Sequence, residues 1–444
     1  MVQSISTLIG NIPRDRVRLL DRKITVSRLL FAEIPIIIVV NFLVNISIIP
    51  SMATYLLDVF NVAVALFSLK AIARLFDHSR WYGYLLLVFA VYGAFMALLN
   101  AVDPILFAWE FFQLFRFILF GLLCAAYFRV DDFVRVWRLL YKLQPVNVAF
   151  VAYEYIVMGL DRDNLGGIFG TVAGCNGPLN VFLGLCVAYA FVSCLNNRDV
   201  GVVGFALTCI SCLIIVSLAE IKFFYFEFLT IAVISLFINR PSFKTVGVII
   251  VSIAGIVLAL NVLKTVNPYH YSVLMDVNSI MGAADNHDLE TGYGVSRIGM
   301  FSQMDSMFFH GDIIERFIGM GIGATTMSSI SLFCSPFFYA NGYLKYYYLQ
   351  SAMLYLQMGY LGLLFYSIAS AGPSIRSLFS SVRSNERLRP ACELCACVAV
   401  LFLMNCFYEN SARTFFSCIW ALFLFAPLVL SEHHEARKDN DGSR

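Results

Sequence analysis

The sequence predicts an all-α polytopic integral membrane protein, with about twelve transmembrane helices and one large extracytoplasmic loop. Three observations predict it. Hydrophobic residues make up 60% of the 444-residue chain and charged ones 14%, with a mean hydropathy of +0.78, an apolar excess that a water-facing surface does not absorb. The excess is gathered into runs of spanning length, about 20 residues for a helix crossing a ~30 Å hydrocarbon core. Lys and Arg then fall into alternate connections between the runs, as the positive-inside rule requires. A net charge of +2 without a long run of one sign gives no reason for a nucleic-acid partner.

Taken in order, residues 1–28 carry six Lys or Arg in a weakly amphipathic stretch, NIPRDRVRLLDRKITVSRLL, which reads as a basic helix on the cytoplasmic surface. The run 29–50 is of full spanning length and has no small-residue cleavage pattern after it, so it reads as the first transmembrane helix and not as a removed signal. Further runs follow near 52–70, 81–100, 105–128, 140–160, 178–195, 200–218, 221–238 and 243–263, and then near 344–371, 391–408 and 412–430. Nine helices thus occupy 29–263, an extracytoplasmic loop 264–343, three more helices 344–430, and a polar cytoplasmic tail 431–444. Threaded from a cytoplasmic N-terminus, these spans put 23 of the 31 Lys and Arg inside and seven outside, with Arg116 in the membrane. Both termini are then cytoplasmic.

Most of the twelve cysteines lie in apolar runs and behave as small apolar residues. Cys392, Cys395 and Cys397 open an apolar helix and bring no fourth ligand, so no metal is implied.

An ionisable group in a bilayer costs about 2.5 to 3.5 kcal/mol on insertion scales, so it needs a partner, a water-filled cavity or a task. Arg116 stands in FFQLFRFILFGLL, Glu110 nearer the outer end of the same run, Glu154 in the next, and Glu227 inside FFYFEFL. Arg116 either clamps one of these carboxylates or, with Glu154 and Glu227, lines a substrate cavity. The short outward connection in SLAEIKFFYFEFL carries Glu220 and Lys222. A lysine there suits an anionic head group such as a diphosphate, or else snorkels to the interface.

Within the loop, RIGMFSQMDSMFFHGDIIERF has apolar residues at helical spacing and predicts one or two helices. Arg297 and Arg316 are its only arginines, and they either bind an anion or balance the acidic residues around them. The alternating Gly319, Gly321 and Gly323 follow no strand, which excludes a dinucleotide fingerprint. His270, His287 and His310 are dispersed, with His310 nearest the arginines.

This order of parts resembles the O-antigen polymerase and O-antigen ligase superfamily of bacterial surface-glycan assembly. The parts that carry the resemblance are SRIGMFSQMDSMFFHGDIIERFIGMGIGA, YYYLQSAMLYLQMGYLGLLFYS and GIFGTVAGCNGPLNVFLG, within residues 161–371. The resemblance implies a membrane-embedded, GT-C-like glycosyltransferase of the bacterial cytoplasmic (inner) membrane. Such an enzyme joins undecaprenyl-diphosphate-linked glycan repeat units on the outer face, without metal or cofactor. A flippase and a chain-length regulator of the same pathway are its implied companions. Lys222 and Arg297 stand where the family places cations against the diphosphate, with Arg316 beside them in the loop. Ligases carry a histidine at the start of the re-entering helix, where this chain has Tyr347-Tyr348-Leu349-Gln350-Ser351. That departure favours a polymerase over a ligase and leaves Glu220 and His310 as candidate bases. The reading from another class is a transporter or flippase of lipid-linked oligosaccharide, against which the long outer loop argues.

Overall fold

The computed structural model describes residues 14–239, 243–276, 294–381 and 388–430; residues 1–13, His287 and the 431–444 tail lie outside them. Every regular element among the described residues is helical. The first half runs α1 (Arg14–Asn45), α2 (Thr54–His78), α3 (Arg80–Leu99), α4 (Pro104–Tyr127), α5 (Val130–Lys142), α6 (Gln144–Ile156), α7 (Asn176–Leu195), α8 (Val202–Leu218) and α9 (Phe224–Ile238). The second runs α10 (Phe243–Val266), α11 (Pro268–Met275), α12 (Met300–Met304), α13 (Ile313–Ile318), α14 (Pro336–Asn341), α15 (Gln350–Ser381), α16 (Arg389–Tyr408) and α17 (Ser417–Leu424).

Eight of these, α1 to α4, α7, α10, α15 and α16, are long and apolar enough to cross a membrane. The four others at expected spans are shorter: 17 residues in α8, 15 in α9, 13 in α6 and 8 in α17. The expected span 140–160 is divided. Residues 130–142 form a separate amphipathic helix that buries Phe133, Val136, Trp137 and Leu140 and keeps Arg135 exposed. A new helix then starts around Pro145, whose missing N–H is tolerated only in a first turn.

Helix α7 is the axis of the bundle: 89% of its apolar window is buried, against 28% for α1, α2, α3 and α10. A helix apolar on every side belongs in such a position. The connections segregate to two ends. At one, Arg138 pairs with Asp199 at 2.7 Å, Lys244 binds Asn197, and Glu393 accepts from Asn196 and Asn239 at 2.9 and 2.5 Å. At the other, Arg162 meets Glu220, Asn267 meets Glu220, and Asn410 Nδ2 donates to the Tyr347 carbonyl at 2.6 Å. This second, loop end carries the described residues of the 264–343 segment.

The described part of that segment builds its own small core on the first turns of α15. Val295, Met300, Met304, Phe309, Leu344 and Tyr346 pack there against Leu349, Met353, Tyr355 and Leu356. Of the one or two helices expected there, two form, α12 and α13, separated by a π-turn at Asp305–Phe309. Beyond α13 the glycine run packs against α15 and enters a turn: Met320 N and Gly321 N donate to the carbonyls of Leu356 and Gln357, both at 2.8 Å, and Ala324 N to the Gly321 carbonyl at 3.1 Å. Two glycines permit this approach from opposite sides. Gly319 (φ +70°) would place a Cβ 2.5 Å from Met358 N, and Gly359 (φ +60°), where α15 kinks, would place one 2.3 Å from the Phe317 carbonyl carbon. Both clashes are with backbone, and the left-handed φ adds strain for any L side chain.

Gly319→Ala and Gly359→Ala are therefore expected to destabilise the detergent-solubilised protein by about 2 kcal/mol or more each. Gly247→Ala, where a Cβ meets open space in a helix, is expected to be neutral or slightly stabilising. Thermal midpoints by fluorescence-detected size exclusion check the difference.

Candidate functional site

The connection between α8 and α9 is short because Glu220 takes a left-handed conformation (φ +55°) and Ile221 N donates to the Val216 carbonyl at 3.0 Å. Lys222 is thereby fixed, half-buried, at the lip of the loop end. The next residue, Phe223, stacks on Tyr408 at 4.1 Å with 4° between the ring planes. The Arg297 guanidinium lies 4.2 Å from the same Tyr408 ring centre, and two flat groups at that distance require opposite faces. Tyr408 is thus held between Phe223 and Arg297, and this sandwich brings Arg297 from the loop to Lys222.

Neither cation is neutralised by a hydrogen bond or ion pair to a carboxylate among the described residues. Burial pushes the Lys222 ammonium below the usual lysine range, Glu220 pulls it back, and Arg297 pushes it down again. The Arg297 Nε is buried without a partner. Like charges close enough to act on one another at a half-buried lip make a patch with the chemistry to hold an anion with more than one negative oxygen.

The other expected site residues have partners. Glu220 accepts from Asn267 and pairs with Arg162 at 3.3 Å, which anchors the lip. Burial raises its pKa, with Asn267, Arg162 and Lys222 opposing. Arg316 makes a two-pronged contact with Asp305, through Nε to Oδ1 and through Nη2 to Oδ2 at 2.5 Å. Its charge is taken up by the acidic Asp305 at the π-turn. Exposed His310 ends that turn in a left-handed conformation (φ +50°), its N–H donating to the Asp305 carbonyl at 2.8 Å.

Inside the bundle, Glu154 receives the N–H groups of Gly166 and Gly167 at 3.2 and 2.8 Å, so it holds the glycine loop before α7. Glu227 joins α7, α9 and α16 by accepting from Asn180 and Asn405 at 3.2 and 2.5 Å. Arg116 is a clamp, but its partner is none of the carboxylates expected from the sequence. Its Nη1 donates to Asp58 Oδ2 of α2 at 3.1 Å, and its Nη2 to the Arg413 carbonyl. Glu110 pairs instead with the Arg413 guanidinium and accepts from Thr326 at 3.0 Å. A fully internal chain of charge therefore runs from Asp58 through Arg116 and Arg413 to Glu110, tying α2, α4, the 409–416 connection and the loop together.

Sequence reasoning missed Asp58, Arg413 and Glu409. Asp58 was visible as a lone acid in the apolar run YLLDVFNVAVALF. Glu409 ends α16 beside Tyr408, and burial raises its carboxyl to about 7 against the opposing hydrogen bond from Ser411 and the charge of Arg297. The loop end thus combines two cations able to hold a polyanion, an aromatic shelf and a carboxyl that titrates near neutrality. Compared with protein-family models and with curated proteins, the sequence matches none.

Proposed function

We propose that the protein is a bacterial surface-polysaccharide polymerase, a metal-independent glycosyltransferase that joins undecaprenyl-diphosphate-linked repeat units on the outer face of the cytoplasmic membrane. The observation that carries this reading is the convergence of Lys222 and Arg297 at the loop end, neither hydrogen-bonded or ion-paired to a carboxylate among the described residues. In this reading all twelve expected segments cross, the loop end faces outward, and the basic connections of Arg138, Lys244 and Arg389 face the cytoplasm. Lys222 and Arg297 receive the diphosphate of the donor lipid and stabilise the charge that grows on it as the glycosidic bond to the anomeric carbon breaks. Arg297 offers a planar fork to two phosphate oxygens; Lys222 offers a point charge. Tyr408 fixes the fork's plane, while Arg162 and Asn267 hold Glu220 back from neutralising Lys222.

The class of reaction is tested by the lipid intermediates of a deletion strain. Loss of a polymerase leaves single repeat units on the lipid, exposed on the outer leaflet, because translocation continues without joining. Single units retained on the cytoplasmic leaflet would replace this reading with a flippase.

A further inference from the structure

Between the end of α16 and the start of α15 lies a set of buried polar atoms that the diphosphate site does not use. The Gln350 side chain is fully buried, and both its amide nitrogen and its amide oxygen lack partners among the described residues. Its backbone N–H donates to the Glu409 carbonyl at 3.2 Å, which fixes the two residues side by side. Glu409 Oε1 and Asn410 Oδ1 are likewise buried without partners. Gly177, opening α7, would bring a Cβ to 3.0 Å of Glu409 Oε2, so the glycine lets α7 approach that carboxylate closely. Leaving one such group unpaired costs about 1 to 3 kcal/mol. Four such atoms on three residues joined by one backbone hydrogen bond and the chain itself are therefore an arrangement suited to a ligand rich in hydroxyl groups.

We propose that Glu409 and Gln350 form the acceptor-sugar subsite, Glu409 being the catalytic base that takes the proton of the attacking hydroxyl. The proposal rests on the polymerase reading above. The acceptor hydroxyl oxygen forms a bond to the donor's anomeric carbon, and the bond from that carbon to the diphosphate oxygen breaks. The electron pair leaves with the diphosphate, held by Lys222 and Arg297. The hydroxyl proton passes to the Glu409 carboxylate and from there to water. Gln350, able to donate and to accept, orients the sugar by its neighbouring hydroxyls. The groups facing Glu409 are suited to this: Arg297 from the loop favours its ionised form, buried Glu227 on α9 opposes it, and Tyr408 and Ser411 flank it along the chain.

The test uses full-length protein in two assays: polymer formation in membranes of a complemented deletion strain, and binding of undecaprenyl diphosphate to the purified protein. Glu409→Gln should lower polymer formation by about a hundredfold or more and keep undecaprenyl diphosphate binding within about threefold. Gln350→Ala should lower polymer formation about tenfold, with binding equally kept. Wild-type polymer formation should fall as pH drops below about 7 and the Glu409 carboxylate is protonated, and this acid limb should vanish in the residual activity of Glu409→Gln. Near-normal polymer from Glu409→Gln would overturn the inference. So would a wild-type rate that is flat across the neutral range, a measurement that stands even where a variant fails to fold. Loss of activity in Lys222→Ala and Arg297→Ala alongside an active Glu409→Gln would leave the polymerase reading intact and remove only this subsite. Full activity in both cation variants would remove the diphosphate site instead.

Discussion

Arg297→Ala and Lys222→Ala are each expected to slow polymer formation by about a hundredfold or more, with normal protein levels in the membrane. The size follows from where the charge acts. A cation at a half-buried lip meets a departing diphosphate in a medium of low effective dielectric, already oriented, so its loss is felt mainly in the transition state. Removing one donor of this kind costs two to three orders of magnitude in rate. The conservative variants should separate. Lys222→Arg keeps the charge and most of the activity. Arg297→Lys keeps charge but forfeits both the fork and the flat contact with Tyr408, and should retain less. Tyr408→Leu should resemble Arg297→Lys, because it removes the shelf and leaves both cations in place. Polymer length on a gel, normalised to protein level, reads all of these. Full-length polymer from well-expressed Lys222→Ala and Arg297→Ala would refute the assignment.

The second large effect is on folding. Asp58 and Arg116, with side chains 4% and 6% exposed, form an ion pair inside the bundle, as Glu110 and Arg413 do at 0% and 8%. Such pairs contribute little net stability, since Coulomb attraction barely offsets desolvation, yet removing one partner strands a buried charge at about 3 to 5 kcal/mol. Arg116→Met should therefore sharply reduce folded yield, and so should Arg413→Met. The double variant Asp58→Leu with Arg116→Met should recover much of the loss, because no charge is left without its partner. Heat-challenge size exclusion of the single and double variants measures the coupling. Strict additivity of the two losses would show that the pair is not energetically linked.

The two kinds of site differ in how far the sequence reveals them. Helices α1 to α4, α7, α10, α15 and α16 are legible because lipid and core alike demand continuous apolar residues, and that demand is local. The break at Leu143–Pro145 was legible too, in the proline, but the apolar run on either side masks it. Lys222 was legible as a cation in a connection where cations are scarce. Its meeting with Arg297 was expected only through the resemblance to surface-glycan polymerases, because nothing along the chain says that Tyr408 will stack on Phe223, the residue after Lys222, and also receive Arg297. Partners distant in sequence escape such reading altogether. Arg413 and Glu110 are 303 residues apart, so the sequence shows two charges and not a pair. Glu409 was missed for a related reason: its carboxyl is notable for its surroundings, which come from α7, α15 and the loop.

The short helices at the lip carry a consequence for how a substrate arrives. At 1.5 Å per residue, the 15 residues of α9 rise about 22 Å and the 17 of α8 about 25 Å, against a hydrocarbon thickness of ~30 Å. Helix α9 turns Phe226, Leu229 and Phe237 outward, so in the proposed reading, where α9 crosses, acyl chains meet it directly. Hydrophobic mismatch of this size is relieved by local thinning, which draws the headgroup layer down toward the helix end. In the proposed reading, where α8 and α9 both cross, Lys222, just before α9, stands several ångströms beneath the average phosphate plane of the surrounding leaflet. A diphosphate tethered to a polyprenyl tail would then slide into that depression sideways, without leaving the bilayer. A free sugar nucleotide would have to descend into it from the water, so under the proposed function the dimple would select for the lipid-borne donor before any sugar is recognised.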